Sequence, residues 1–143
     1  MKMNRIWIAI SLCVCLICLG FTSLEGRRRV YYPDASVADQ GAATGRSVKN
    51  LVDSIGTSAE VTMVFAHSGS GNTTTYTFTT AEVIPANITL IVENGVLIDG
   101  SVTISSPENI EVGYKQQIFA STATITFTEP GIISAMWFGA VAD

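Results

Sequence analysis

Few residues of this 143-residue sequence have the chemistry for catalysis or tight ligand binding, and their spacing disperses them. His67 is the single histidine and sits in His67-Ser68-Gly69-Ser70-Gly71-Asn72, with no aspartate or cysteine nearby. A triad needs a base oriented by a carboxylate, and a metal site needs several convergent ligands, so His67 reads as a loop residue. Two carboxylate pairs have the residue types to flank a glycosidic bond, Glu93 with Asp99 and Glu108 with Glu111. Asp99-Gly100 has turn composition, and Glu108 and Glu111 flank a strand and point to different sides if that strand is regular. A structural role is expected for both pairs. Gly69-Ser70-Gly71 lacks the lysine and the helix start of a phosphate loop. Asn72-Thr73-Thr74 and Asn87-Ile88-Thr89 match the glycosylation pattern, which matters only in a host with that machinery. The threonines around Tyr76 offer a surface for carbohydrate, yet strand propensity alone accounts for them. The sequence therefore assigns no catalytic, cofactor-binding or metal-binding residue.

The elements that would position these residues are almost all strands. One helical pattern exists: Val48, Leu51, Val52 and Ile55 fall on one face, within a helix expected over 46–57. Thr44 or Ser47 can cap its start, and Gly56 supplies a stop. Val61 to Ala66 is an apolar run rich in β-branched residues, and Thr73 to Thr80 alternates with period two. Beyond them the chain repeats. Pro85-Ala86-Asn87-Ile88 recurs as Pro107-Glu108-Asn109-Ile110, Val96-Leu97-Ile98 as Gln117-Ile118-Phe119, and Val102-Thr103-Ile104 as Ile125-Thr126-Phe127. A weaker third copy begins at Pro130, with Ile132-Ile133 in the strand position. Three short strands per roughly 22 residues suit one coil of a parallel β-helix, in which each strand pairs with its equivalent about 4.8 Å away. The repeat then stacks Asn87 on Asn109, Leu97 near Phe119 or Ile118, and Glu93 near Lys115. The expected fold is all-β: a short right-handed parallel β-helix of about three coils over 58–143. The helix at 46–57 closes its N-terminal end, where an uncovered stack would expose core and strand edges.

The rest of the sequence gives an address and excludes partners. Lys2 and Arg5 precede the apolar run Ile6–Leu19, which suits a signal peptide over 1–20 and is short for a membrane span of roughly 20 residues. The basic cluster Arg27-Arg28-Arg29 leaves an alternative, an uncleaved anchor formed by residues 6–19. Residues 21–45 read as an extended lead-in. Cys13, Cys15 and Cys18 all lie in the apolar segment, so no disulfide or cysteine–metal framework supports the domain. From Val30 onward Arg46, Lys49 and Lys115 face eleven carboxylates, a balance that repels phosphate backbones and excludes nucleic acid as an expected partner.

The phrases Pro85-Ala86-Asn87-Ile88-Thr89-Leu90, Glu93-Asn94-Gly95-Val96-Leu97, Gln116-Gln117-Ile118-Phe119 and Trp137-Phe138-Gly139-Ala140 resemble the N-terminal part of pectate-lyase-superfamily β-helix proteins. That group includes secreted polysaccharide lyases, glycoside hydrolases and phage tailspikes. The resemblance covers about Asp39 to Asp143. It implies that catalytic residues lie on coils beyond residue 143 and that Trp137 and Phe138 pack where the cap joins them. None of the group's catalytic or calcium-binding residues has a matching position in this sequence. The expected function is thus a non-catalytic N-terminal cap and first coils of an exported carbohydrate-active protein. Polysaccharide is then engaged through the complete protein, and further coils succeed these. Two alternatives remain: a small surface glycan-binding, adhesion or tailspike-like module, and a lyase or hydrolase whose active site lies beyond residue 143.

Overall fold

The computed structural model describes residues 28–37, 46–68 and 73–141. The segment expected to be a signal peptide or anchor, with its three cysteines, lies outside the described residues. Among those described, no helix is long and apolar enough to cross a membrane.

The protein is mainly β, with two parallel sheets and one α-helix. Strands β1 (Arg29–Tyr31), β2 (Val61–Phe65), β4 (Ile88–Val92) and β6 (Ile110–Val112) form one sheet in that order. Strands β3 (Thr74–Ile84), β5 (Val96–Ile104) and β7 (Thr124–Phe127) form the other. From β2 onward the chain alternates between the sheets, and each return lays a strand parallel to the one before it. Side chains at matching positions consequently form ladders: Met63–Leu90–Ile110 in the first sheet, Ile84–Ile104–Phe127 in the second. All six belong to or pack against one hydrophobic core.

The shift between paired residues is not constant, and its changes can be located. Val61 pairs with Ile88, a shift of 27, and the same shift holds to Phe65 with Val92. It falls to 22 at Thr74 with Val96, and to 20 at Glu82 with Val102, across an irregularity in β3 between Phe78 and Glu82. Leu90 pairs with Ile110, again a shift of 20. This corrects the register expected from the Pro-Asn-Ile match, which set Ile88 opposite Ile110: the strand has slipped by two residues relative to the turn before it. The other repeats keep their alignment but not the three separate strands expected in each unit: Val96–Ile98 and Val102–Ile104 lie in one strand, β5, so each unit adds one strand to each of two sheets. Ile98 bridges Phe119, putting Leu97 level with Ile118, and Val102–Ile104 pair with Ile125–Phe127.

Gly100 makes the β3 irregularity feasible. Its φ is +91°, and a Cβ there would lie 2.0 Å from the carbonyl oxygen of Phe78. Only glycine permits this approach.

Helix α1 (Val48–Ile55) adopts the expected pattern. Ser47, rather than Thr44, is its N-cap and accepts a hydrogen bond from the Asn50 N–H; at Gly56, φ is +64° and the N–H donates to the Val52 carbonyl. Val48 and Val52 enter the core, with Leu51 and Ile55 packed against it. Lys49 Nζ lies 4.0 Å from the buried Glu82 carboxylate on β3, so the helix sits at the first edge of the second sheet.

Three further expectations are revised. The lead-in contains a strand, β1, paired with β2, and a short 3-10 turn at Ala35–Val37. Ile132 and Ile133 form no strand and are exposed. They lead into a 3-10 turn at Ala135–Phe138, held by the N–H groups of Ile118 and Phe119, which both donate to the Trp137 carbonyl. Trp137 is buried edge-on against Phe119. Glu93 and Lys115 do not pair: Glu93 accepts the His67 backbone N–H, and Lys115 lies over the Tyr114 ring.

Candidate functional site

A concavity lies where the lead-in crosses the corner between β2 and β3. It is an open cleft of about 350 Å³ lined by Tyr32, Pro33, Asp34, Arg46, Ser68 and Tyr76, with Ala35 and Ala66. The wall facing the core is Tyr76, whose ring is buried by stacking on Phe65 at a centroid distance of 4.4 Å. Its hydroxyl accepts the Ala66 N–H at 3.1 Å and donates toward the carbonyls of Ala66 or Pro33, each at 3.3 Å. Burial pushes the Tyr76 hydroxyl above its ordinary pKa, against the hydrogen bond from Ala66.

The opposite wall is built from the lead-in. The Asp34 N–H donates to the Arg46 carbonyl at 2.8 Å, joining residues twelve apart in sequence. The Arg46 guanidinium donates to the Tyr32 carbonyl through Nε and Nη2, at 3.2 and 2.7 Å. One oxygen of Asp34 accepts both the N–H and the hydroxyl of Ser36, and these bonds hold its carboxyl below the usual range. The carboxylate is therefore charged at neutral pH while remaining fully accessible to solvent. Tyr32 leaves about half its surface, 51%, exposed at the rim.

The residues weighed from sequence do not gather here. His67 Nδ1 lies 3.0 Å from the Thr74 hydroxyl, and Thr74 in turn accepts the Ser68 N–H and donates to its carbonyl, which ties down the ends of the loop. Glu93 and Asp99 are not brought together: Glu93 binds the backbone at His67, while Asp99, inside β5 rather than at the expected turn, accepts from the Gly100 N–H and the Thr122 hydroxyl. Glu108 occupies the 3-10 turn Pro107–Asn109 and Glu111 lies on β6, both exposed. Among the described residues, no group of three His, Cys, Asp or Glu side chains is placed to hold a metal ion. Asn87 is buried and commits its amide to the carbonyls of Gly56 and Ala59, so the folded chain offers no amide there for glycosylation.

The cleft residues carry no signal in the sequence, because the lead-in has no periodic pattern. Contacts between Asp34, Arg46 and Tyr32, with the β1–β2 pairing and the Tyr76 hydroxyl on the Pro33 carbonyl, give its described part shape.

A second surface stands out at the opposite end of the stack. Tyr114, Ile132, Ile133, Phe138 and Val141 are exposed, and strands β6 and β7 have no partner on their outer edges among the described residues. The ladders register the same change, since Ile84 and Ile104 are fully buried while Phe127 is only partly so.

Comparison with family models, curated proteins and solved structures returned no match.

Proposed function

We propose that this chain is the non-catalytic N-terminal cap and first coils of an exported, carbohydrate-active protein built as a right-handed parallel β-helix. The observation carrying this reading is the uncovered end of the two sheets formed by β6 and β7. At one end α1 lays Val48 and Val52 into the core beside β3. At the other, β6 and β7 present unpaired parallel edges among the described residues, together with five exposed large apolar side chains. Open edges and apolar patches are features that folded proteins normally cover. A further coil, adding one strand to each sheet, would cover both.

The alternation between sheets supports the β-helix reading, as do the uninterrupted side-chain ladders. Trp137 and Phe138 both lie against Phe119 in the 3-10 turn beyond β7, which suits a junction between the cap and later coils. The sugar-directed role rests on the resemblance of the Pro85–Leu90, Glu93–Leu97, Gln116–Phe119 and Trp137–Ala140 phrases alone.

The coding sequence downstream of codon 143 tests the module reading. An in-frame continuation into coils with shifts of 20 to 23 residues, as in β4–β6 and β5–β7, is expected. An immediate stop codon overturns it. The purified chain should turn over neither uronides nor glycosides, and measurable turnover would overturn the non-catalytic assignment.

A further inference from the structure

We infer that the cleft between the lead-in and the β2–β3 corner is a binding subsite for one neutral saccharide unit. Two charged side chains that line the cleft, Arg46 and Asp34, carry it. Arg46 spends Nε and Nη2 on the Tyr32 carbonyl, which fixes the plane of the guanidinium and leaves Nη1 to serve a ligand. Asp34 spends one oxygen on Ser36, which orients the carboxylate and leaves its second oxygen as an acceptor. Both side chains line the same cleft, and the Asp34–Arg46 backbone hydrogen bond holds their segments together. The cleft thus presents an oriented charged donor and an oriented charged acceptor side by side.

That pairing selects the ligand's charge. An anion gains from Arg46 but is repelled by Asp34, and a cation meets the reverse. A pair of vicinal hydroxyls satisfies both, because one accepts from the guanidinium while the other donates to the carboxylate. Each bond is charge-assisted and stronger than a neutral one. The remaining lining suits the same molecule. Tyr32, half exposed, and Ser68 also line the cleft, residue types that supply an aromatic surface for the C–H side of a pyranose and a further polar group. The volume, about 350 Å³, falls at the small end of ligand sites, which run from about 300 Å³. Because the cleft is open rather than enclosed, the affinity expected is that of a weak subsite.

This inference stands on the cleft alone. A stop codon after residue 143 would remove the module reading and leave this one untouched; absent binding would do the reverse.

The test is titration of the full-length chain, in a sugar-free zwitterionic detergent, with glucose, galactose, mannose and rhamnose, monitored by amide chemical shifts. Galacturonate and inorganic phosphate serve as charged probes. Saturable shifts at Asp34, Arg46 and Ser68 are expected with at least one neutral sugar. Asp34→Asn keeps an acceptor for Ser36 but removes the charge, and Arg46→Lys keeps a donor for the Tyr32 carbonyl but removes the fork. Each should weaken binding about tenfold, the loss of one charge-assisted bond. Tyr32→Ala should weaken it too, and its backbone carbonyl contact to Arg46 survives the change. Unaltered amide spectra outside the cleft identify variants that remain folded. The assignment is overturned by absence of saturable shifts, by shifts centred elsewhere, by binding of the charged probes alone, or by affinity unchanged in all three variants.

Discussion

The side-chain amide of Asn87 donates to the carbonyl of Ala59 at 2.7 Å, a reach of 28 residues back along the chain. The same amide also serves the Gly56 carbonyl at 3.0 Å, while the Ala59 segment is tied in return by the Val61 N–H donating to the Asn87 carbonyl. Further along the chain Asn109 repeats the gesture toward Ala86, 23 residues back, with a single bond of 2.8 Å. The two asparagines do not stack amide on amide; each fastens its own turn to the turn before it.

Their truncations should differ. Asn87→Ala leaves two carbonyls without their donor in a buried position, and should cost about 2 kcal/mol. Asn109→Ala loses one partly exposed bond and should cost roughly 0.5–1 kcal/mol. Urea denaturation of the two variants measures the difference, and equal costs would contradict the assigned bonds.

Gly100→Ala should be severely destabilising. The new Cβ would collide with the Phe78 carbonyl at a φ that alanine rarely adopts. A loss of about 3 kcal/mol or more is expected, with the β3–β5 amides losing hydrogen-exchange protection first.

Tyr76 supplies an alkaline signature. Burial raises its hydroxyl above the ordinary value of 10.0. Below the unfolded-state pKa the folded and unfolded chains are both protonated, so the stabilisation is fully present. As pH rises beyond that point the unfolded chain releases its proton first, and the stabilisation is lost through the folded pKa. Tyr76→Phe should cost about 1 kcal/mol at neutral pH and flatten the decline above pH 10, as read from thermal melts across that range.

Ser36→Ala should raise the pKa of Asp34 toward its ordinary value of 3.8, since the Ser36 hydroxyl bond is removed while the backbone bond remains. Carboxyl carbon shifts recorded from pH 2 to 6 provide the measurement. With a lowered folded pKa, any stability contributed by Asp34 is present above its unfolded value and fades as pH falls through the folded one.

Trp137→Ala should free the segment after Glu129. The indole packs edge-on against Phe119, and its loss should cost about 3 kcal/mol. Exchange at the Ile118 and Phe119 amides, both held by the Trp137 carbonyl, reports the release directly.

How far the sequence can be read depends on what repeats. Val102–Ile104 and Ile125–Phe127 are both apolar-Thr-apolar triplets facing the same core, so their alignment matches the pairing seen. Pro85–Ile88 and Pro107–Ile110 also repeat, but they encode turns. Turn chemistry is preserved, as the two asparagine bonds show, while the strands behind it slide by two residues. The cause lies at a distance, in the three residues of β3 between Phe78 and Glu82 that face only Ser101. Gly100 is visible in the sequence as a turn residue; its role in accommodating that irregularity requires the partner strand. The cleft is illegible for a related reason, since Asp34 and Arg46 meet through a backbone hydrogen bond that leaves no periodic trace.

The changing shifts between strands carry one more consequence. Of the seven residues by which the first interval exceeds the second, five are taken up between Phe65 and Thr74, at the corner that forms one wall of the cleft. Lengthening a surface connection costs only about 0.6 kcal/mol per doubling, far less than shifting a single core ladder. That corner is therefore the joint at which the chain absorbs insertions. Peptides inserted there should leave the Met63–Leu90–Ile110 spine in register.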